Sequence, residues 1–525
     1  GDNNVAVGFE ALKTEDGHGQ NVAVGYRALK TLNAGGDAHN TAVGNLAGED
    51  VTTGTANTLI GSLSGMGLTT GGSNTALGYN SLEVDTAGSK TVAIGFNALQ
   101  AQNFSSATDS HNTAVGYNAG LVVTTGVSNT LIGSRAGDAL TDADYNVALG
   151  DGALSQDTKG SLSVAVGNYT LEAQNFTSAT NTYNTAVGNQ AGNDITTGIQ
   201  NTLIGGLAGT KLTDADYNVA VGVGALDLDT KGSKSTAIGY DALSTQNFTS
   251  STDTYNTAVG YDAGKAITTA QENTLIGARA GMTLTDSNDN VAVGYRALEN
   301  ETRGSRNTAI GHDALGTQNT TSSTAIYNTA VGHTAGTSIT TGVQNTLIGG
   351  LAGDALTDAD YNVAVGKGAL ETDTQGSRST AVGYSALASQ NFSSAANSGN
   401  SAFGYNSGGS FTTGIQNTTV GSLSGDALTD ADRNTVLGYQ ALSTDTRGSR
   451  STALGWNALA SQNFTSATDT YNVAVGYSAG SEITTGTNNT AIGGLAGDAI
   501  TTGTANTVLG QAAGGMINTG ANNTC

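Results

Sequence analysis

One pattern of polar and apolar positions recurs along the chain: a polar Asn, a β-branched Thr or Val, a small Ala, an aliphatic Val, Ile or Leu, and a Gly, as in Asn112-Thr113-Ala114-Val115-Gly116. It occurs thirty times, usually 17 residues apart, with every fourth step from residue 91 lengthened to 21. The sum defines a 72-residue repeat, with copies beginning at Asn40, Asn112, Asn184, Asn256, Asn328, Asn400 and Asn472. A fixed period of this kind is the signature of a repeat architecture. Slot two is Thr or Val in every copy but Ser401, and slot four is aliphatic in every copy but Phe403. Such residues favour pleated strand, so each coil is expected to carry one short strand. Slot five is Gly in all 29 copies that reach it, which predicts a positive φ or a backbone approach too close for a Cβ.

Alternation puts slots two and four on one side of the strand and slots three and five on the other. Slot three is mostly Ala, but Leu in the second coil of five repeats (Leu59, Leu131, Leu203, Leu275, Leu347), so both sides are apolar. A strand apolar on both faces is expected to be buried on both, and a thin solenoid covers only one face with its own interior. Each coil offers three or four large aliphatics, worth about 1.5 to 3 kcal/mol each when buried. Ordering its backbone costs roughly 1 to 2 kcal/mol per residue. The expectation is a homo-oligomer that covers the second apolar face. Slot one is Asn in 25 copies, the exceptions being Thr91, Ser163, Ser235, Ser379 and Ser451, and stacked Asn side chains can hydrogen-bond along a ladder.

The chain divides into divergent leading coils (1–39), six full repeats (40–471) and a partial seventh (472–525). The ending inside a coil at Asn523-Thr524-Cys525 reads as a segment of something longer. Polar turns separate the strands: ITTG-like after the first coil, LTDADYN after the second and DTKGS-like after the third. In the fourth coil the extra residues form a QNFTSATDTYN-like loop that is expected to project.

Composition narrows the function. Seventy-six Gly and no Pro, without a collagen period, fit the array rather than a globular domain. The net charge of −23 and the lack of Lys/Arg clusters argue against nucleic acid. One cysteine, Cys525, excludes an internal disulfide framework, and no apolar run has the length of a membrane span.

Candidate chemistry sits on the turns. Asn103, Asn175, Asn247, Asn319, Asn391 and Asn463 begin Asn-X-Ser/Thr sequons in register on the long loops, a pattern for glycan attachment or simply a copied sequence. Phe104, Phe176, Phe248, Phe392 and Phe464 follow five of them, either as exposed contacts or as pins holding the loop down. The column of these loops is the expected contact or glycan-bearing surface. The acidic pairs Asp142/Asp144, Asp214/Asp216 and Asp358/Asp360 resemble the start of a calcium loop without its Gly and distal Glu, and read better as structural turns. His18, His39, His111, His312 and His333 share no metal spacing and read as solvated. Gly476-Tyr477-Ser478-Ala479-Gly480 matches a hydrolase elbow, but the Ser slot varies freely among repeats, which predicts surface. Gly222-Val223-Gly224 is two array glycines without a dinucleotide-binding context. No catalytic constellation emerges, and no enzyme activity or cofactor other than adsorbed calcium is expected.

The pentapeptide array, for example Asn112 to Gly120, Asn256 to Gly264 and Asn472 to Gly480, resembles the head repeats of trimeric autotransporter adhesins and related arrays in bacteriophage and algal-virus tail fibres. The resemblance covers nearly the whole chain. It implies a left-handed parallel β-roll of about thirty coils, three chains side by side, forming an extracellular or virion-surface fibre that reaches a host glycan or receptor. These coils are longer than the usual head repeat, and the 72-residue period is additional. The fold expected is therefore all-β, and the function a non-enzymatic structural or adhesive fibre. An ice-binding or calcium-binding solenoid is the alternative. Ice binding uses flat Thr arrays, whereas slot two mixes 20 Thr with 9 Val and one Ser.

Overall fold

A computed structural model describes residues 3–525. The chain forms two compact parts, one ending at Thr269 and one beginning at Ala270. Each is a parallel β-solenoid. Fifteen three-residue strands, from Val5–Val7 to Thr257–Val259, lie in the first part, and fourteen, from Thr274–Ile276 to Thr507–Leu509, in the second. All occupy slots two to four, and no helix occurs among the described residues. The expected all-β parallel solenoid, of about thirty coils in the two parts together, is thus what the chain adopts.

Pairing is parallel and in register whatever the coil length. Thr113 pairs with Thr130 across a 17-residue coil, Val22 with Thr41 across a 19-residue one, and Ile94 with Val115 across a 21-residue one. Extra residues are therefore absorbed in the turns. Slot three faces the interior: Ala114, Leu131 and Ala148 have no solvent exposure. Four residues past the Gly, a Leu or a second Gly complements it. Where slot three is Ala that residue can be Leu, as at Leu154, and where Leu131 fills the interior it is Gly120 and Gly137. A Cβ on Gly120 would lie 2.8 Å from Leu131 Cδ1, so the two positions share one fixed volume.

The slot-five Gly satisfies both demands inferred from sequence. Gly116 has φ +148°, and a Cβ there would sit 2.2 Å from the carbonyl oxygen of Gly133 in the next coil. The Asn ladder forms as well. Asn112 Oδ1 accepts from the backbone N–H of Asn129 at 2.8 Å, while its Nδ2 donates to the carbonyl of Gly126 at 2.7 Å. One side chain thereby satisfies a buried donor in the next coil and a buried acceptor in its own turn.

Candidate interaction surfaces and the long-turn clamp

Slots two and four point outward. In the single chain slot-four side chains stay substantially exposed: Leu149 43%, Ile204 40%, Ile348 39%, Leu437 51%. The stripe is flanked by exposed aromatics on the residue after the slot-five Gly. These stack from coil to coil, Tyr79 on Phe96 and Phe96 on Tyr117 with centroids 5.4 and 5.5 Å apart, and likewise Tyr240 on Tyr261 and Trp456 on Tyr477. On the other flank, residues in the left-handed region just before slot one include Tyr–cation neighbours: Lys234 covers Tyr255 and Arg450 covers Tyr471. The outward face in each part is an apolar stripe with runs of aromatics beside it, interrupted by coils such as those of Ser134, Asp151, Asn168 and Asn189. The doubly apolar strand was legible in the sequence; the flanking aromatic runs were missed, although their recurrence at fixed slots, as at Tyr79, Phe96 and Tyr117, could have revealed them.

The long turn does not project as expected. Gln102 and Phe104 are buried, and Thr108–Asp109 pairs in parallel with Gly88–Ser89 of the preceding coil. Residues 103, 105–107, 109 and 111 stand at the surface. The Phe side chains are no surface contacts either: Phe104, Phe176, Phe248, Phe392 and Phe464 are buried, because the turn folds back over the coil beneath and removes the rings from water. Asn103, Asn175, Asn247, Asn319, Asn391 and Asn463 are all exposed.

A buried carboxylate holds this turn. Asp85 Oδ1 accepts from the N–H of Gly88 at 3.0 Å and of Phe104 at 3.1 Å, and Oδ2 accepts from Gln102 Nε2 at 2.6 Å. Burial pushes the Asp85 carboxyl up, against the pull of these donors. Gln102 also donates to Thr91 Oγ1 and accepts from Asn112 Nδ2, and Thr91 Oγ1 lies 2.6 Å from Ser110 Oγ. Thr91 is one of the five exceptions in slot one. Asp157, Asp229, Asp373 and Asp445 repeat the arrangement with Ser163, Ser235, Ser379 and Ser451. The missing Asn amide is thus replaced by a Gln–Asp–hydroxyl cluster that the sequence reading did not anticipate, although the exceptions all fall on the coil that bears the long turn.

The acidic pairs act within their turns. Asp144 Oδ1 accepts from Val127 N–H, Asp216 Oδ1 from Ile199 N–H and Asp360 Oδ1 from Val343 N–H, each at 2.8 Å, capping the preceding coil. Asp142 and Asp214 face Lys159 and Lys231 at 3.8 Å, and Thr357 Oγ1 donates to Asp358. Among the described residues these six carboxylates enter no group of three close ligand atoms. His39, His111, His312 and His333 are exposed, and His312 stacks on His333. Ser478 is 8% exposed at φ +48°, while the equivalent Leu46, Asn118, Gln190, Thr334 and Asn406 are half-exposed. No helix among the described residues is long and apolar enough to cross a membrane. A scan of protein-family profiles and a search of curated proteins found no match to the chain.

Proposed function

We propose that the chain is a structural segment of a surface fibre, an adhesin or virion fibre, that associates with further copies of itself through the outward ribbon. The solvent-facing column of slot-four aliphatics, with exposed aromatics beside it in many coils, carries this reading. Covering the remaining two-fifths of one such aliphatic contributes roughly 1 kcal/mol per coil. Over about thirty coils the sum exceeds the roughly 4 to 15 kcal/mol that association costs in lost freedom. Three chains meeting along this face, as the sequence resemblance implies, would bury it from every side. Host contacts, glycans included, then belong to the exposed turn residues such as Asn103 and Asp109, which recur every fourth coil and suit many weak contacts at once. The role is mechanical and adhesive, outside the cell or on a virion, without catalysis. Sedimentation of the full chain tests it: an oligomer is expected, and a monomer at micromolar concentration would overturn the reading.

A further inference from the structure

The first coil breaks the clamp rule in a way that leaves a carboxylate oxygen unserved. Glu15 stands at the position of Asp85, His18 at that of Gly88, and Leu32 at that of Gln102. As in the later clamps, Glu15 Oε1 accepts from the backbone N–H three residues on, His18 N at 3.0 Å. Its second oxygen differs. Gln102 caps Asp85 Oδ2, and Gln318 caps Glu301 Oε2 at 2.8 Å, whereas the buried, apolar Leu32 offers Glu15 Oε2 nothing. The Glu15 side chain is 2% exposed, and its Oε2 has no hydrogen-bond partner.

In the later clamps the position of His18 is a Gly that lies against the second carboxylate oxygen. A Cβ on Gly88 would lie 2.1 Å from Asp85 Oδ2, and one on Gly304 would lie 2.6 Å from Glu301 Oε2. In the first coil this position carries an imidazole, whose Nδ1 is buried without a hydrogen-bond partner and lies 3.8 Å from Glu15 Oε1. Asp16 supplies a second carboxylate, and the ligand atoms of Glu15, Asp16 and His18 all lie within 4.8 Å of one another. The neighbouring Asp37 is already engaged by Gly19 N–H and Gln20 Nε2.

We propose that Glu15, Asp16 and His18 form a site for one divalent first-row transition ion of the zinc class. Ligand atoms around such an ion stand roughly 3.3 Å apart, within reach of side-chain rotation from the spacing present. An imidazole beside two carboxylates favours zinc-like ions over calcium or magnesium. The ion replaces the missing Gln as the partner of the buried carboxylate, and water completes its coordination.

Titration of the full chain with zinc chloride in a calorimeter, paired with elemental analysis after dialysis, tests this. One ion per chain is expected. His18→Ala should weaken binding by more than about tenfold. Leu32→Gln restores the cap of the later repeats, so it should weaken binding too while leaving the fold intact. Non-stoichiometric uptake that both variants leave unchanged would overturn the site and reduce it to adsorption on an acidic chain; no uptake at all would also overturn it.

Discussion

Five of the six long turns are clamped by an Asp with a hydroxyl in slot one, and the sixth is not. In the turn at 301–328 four positions have changed together: Glu301 for Asp85, Asn307 for Thr91, Thr320 for Phe104 and Ile326 for Ser110. The geometry shows why they move as a set. Asn307 restores the ladder, accepting on Oδ1 from Asn328 N–H at 3.2 Å, where in the other turns the equivalent Asn112 N–H finds only Ser110 Oγ at 3.4 Å. The hydroxyl is then redundant, and Ile326 fills its place, 1% exposed. Glu301 reaches one bond further, taking N–H groups of Thr302, Arg303, Gly304 and Thr320 on Oε1, with the Thr320 hydroxyl added at 2.7 Å where the Phe ring would otherwise pack. Two solutions to one problem, a buried carboxylate with a full set of donors, exist within one chain.

The largest effect should ignore this difference. Gly95 and Gly311 both begin a long coil, and in each a Cβ would lie 2.2 Å from the next coil's Gly carbonyl oxygen. Alanine at either is expected to cost about 3 kcal/mol or more of local stability, since the backbone conformation and the space are both denied. Amide hydrogen exchange is the suitable measurement, because a repeat array unfolds locally. Loss of protection in the flanking coils at one site but not the other would show that the ladders of the two turns are not equivalent.

Next in size is the clamp. Asp85→Ala removes the acceptor of two buried N–H groups and of the Gln102 amide, an expected local loss of about 2 to 4 kcal/mol. Asp85→Glu alone should also destabilise, because the added methylene meets Phe104. Combining it with Thr91→Asn, Phe104→Thr and Ser110→Ile should recover much of the loss, a coupling of roughly 1 to 3 kcal/mol for groups in one network. Strictly additive losses across the four changes would break the comparison.

The ladder strand was legible because its slots are read by period alone: Gly116, Ala114 and Val115 each repeat under a single steric demand. The long turn was not, because its signal is a correlation among distant slots. Thr91 looked like noise until Gln102 and Asp85 met it in space, 11 and 6 residues away in sequence. Phe104 was ambiguous for a related reason. A lone aromatic on a polar loop reads the same whether the loop stands up or folds back, and the deciding contact, Asp85 with the Phe104 N–H, is made to the preceding coil. The outward ribbon lay between these cases, since strand alternation exposed slots two and four but the stacking of Tyr79 on Phe96 required the coils to be superposed.

A half-buried carboxylate with one oxygen unserved should behave differently, and Asp354 provides the contrast. Its Oδ1 has no partner, and burial, reinforced by Glu371, raises its pKa to about 6. A raised carboxyl pKa contributes stability that is fully present below the unfolded value near 3.8 and is lost as pH rises through about 6. Asp354→Asn should therefore change little at pH 4 and stabilise the local coils at pH 8, by roughly 1 kcal/mol once partial exposure is allowed for. Hydrogen exchange at the two pH values, corrected for intrinsic rates, reads this directly; equal effects at both would assign the change to packing instead of ionisation.

The smallest expected difference between the two turns concerns the aromatic column that passes both. Beside the Asp85 clamp it runs Tyr79, Phe96, Tyr117, with neighbouring rings inclined by 18° and 13°. Beside the Glu301 clamp it runs Tyr295, His312, His333, and the first pair is tilted by 38°. His312 Nδ1 also lies 3.1 Å from Asp313 Oδ2, so that ring serves a carboxylate as well as its neighbours. Phe96→Ala should lose a stacked pair on each side, about 0.5 to 1.5 kcal/mol per pair beyond its area, while His312→Ala should lose less. His312→Phe should gain a few tenths of a kcal/mol from stacking and give up the contact with Asp313, for a net change near zero. If the ribbon is the self-association face, Phe96→Ala should also shift the oligomer in sedimentation more than it shifts local exchange, because the exposed ring edges would be buried only in the assembly. An unchanged oligomer with the full local loss would confine the column's role to holding each chain's own coils in line.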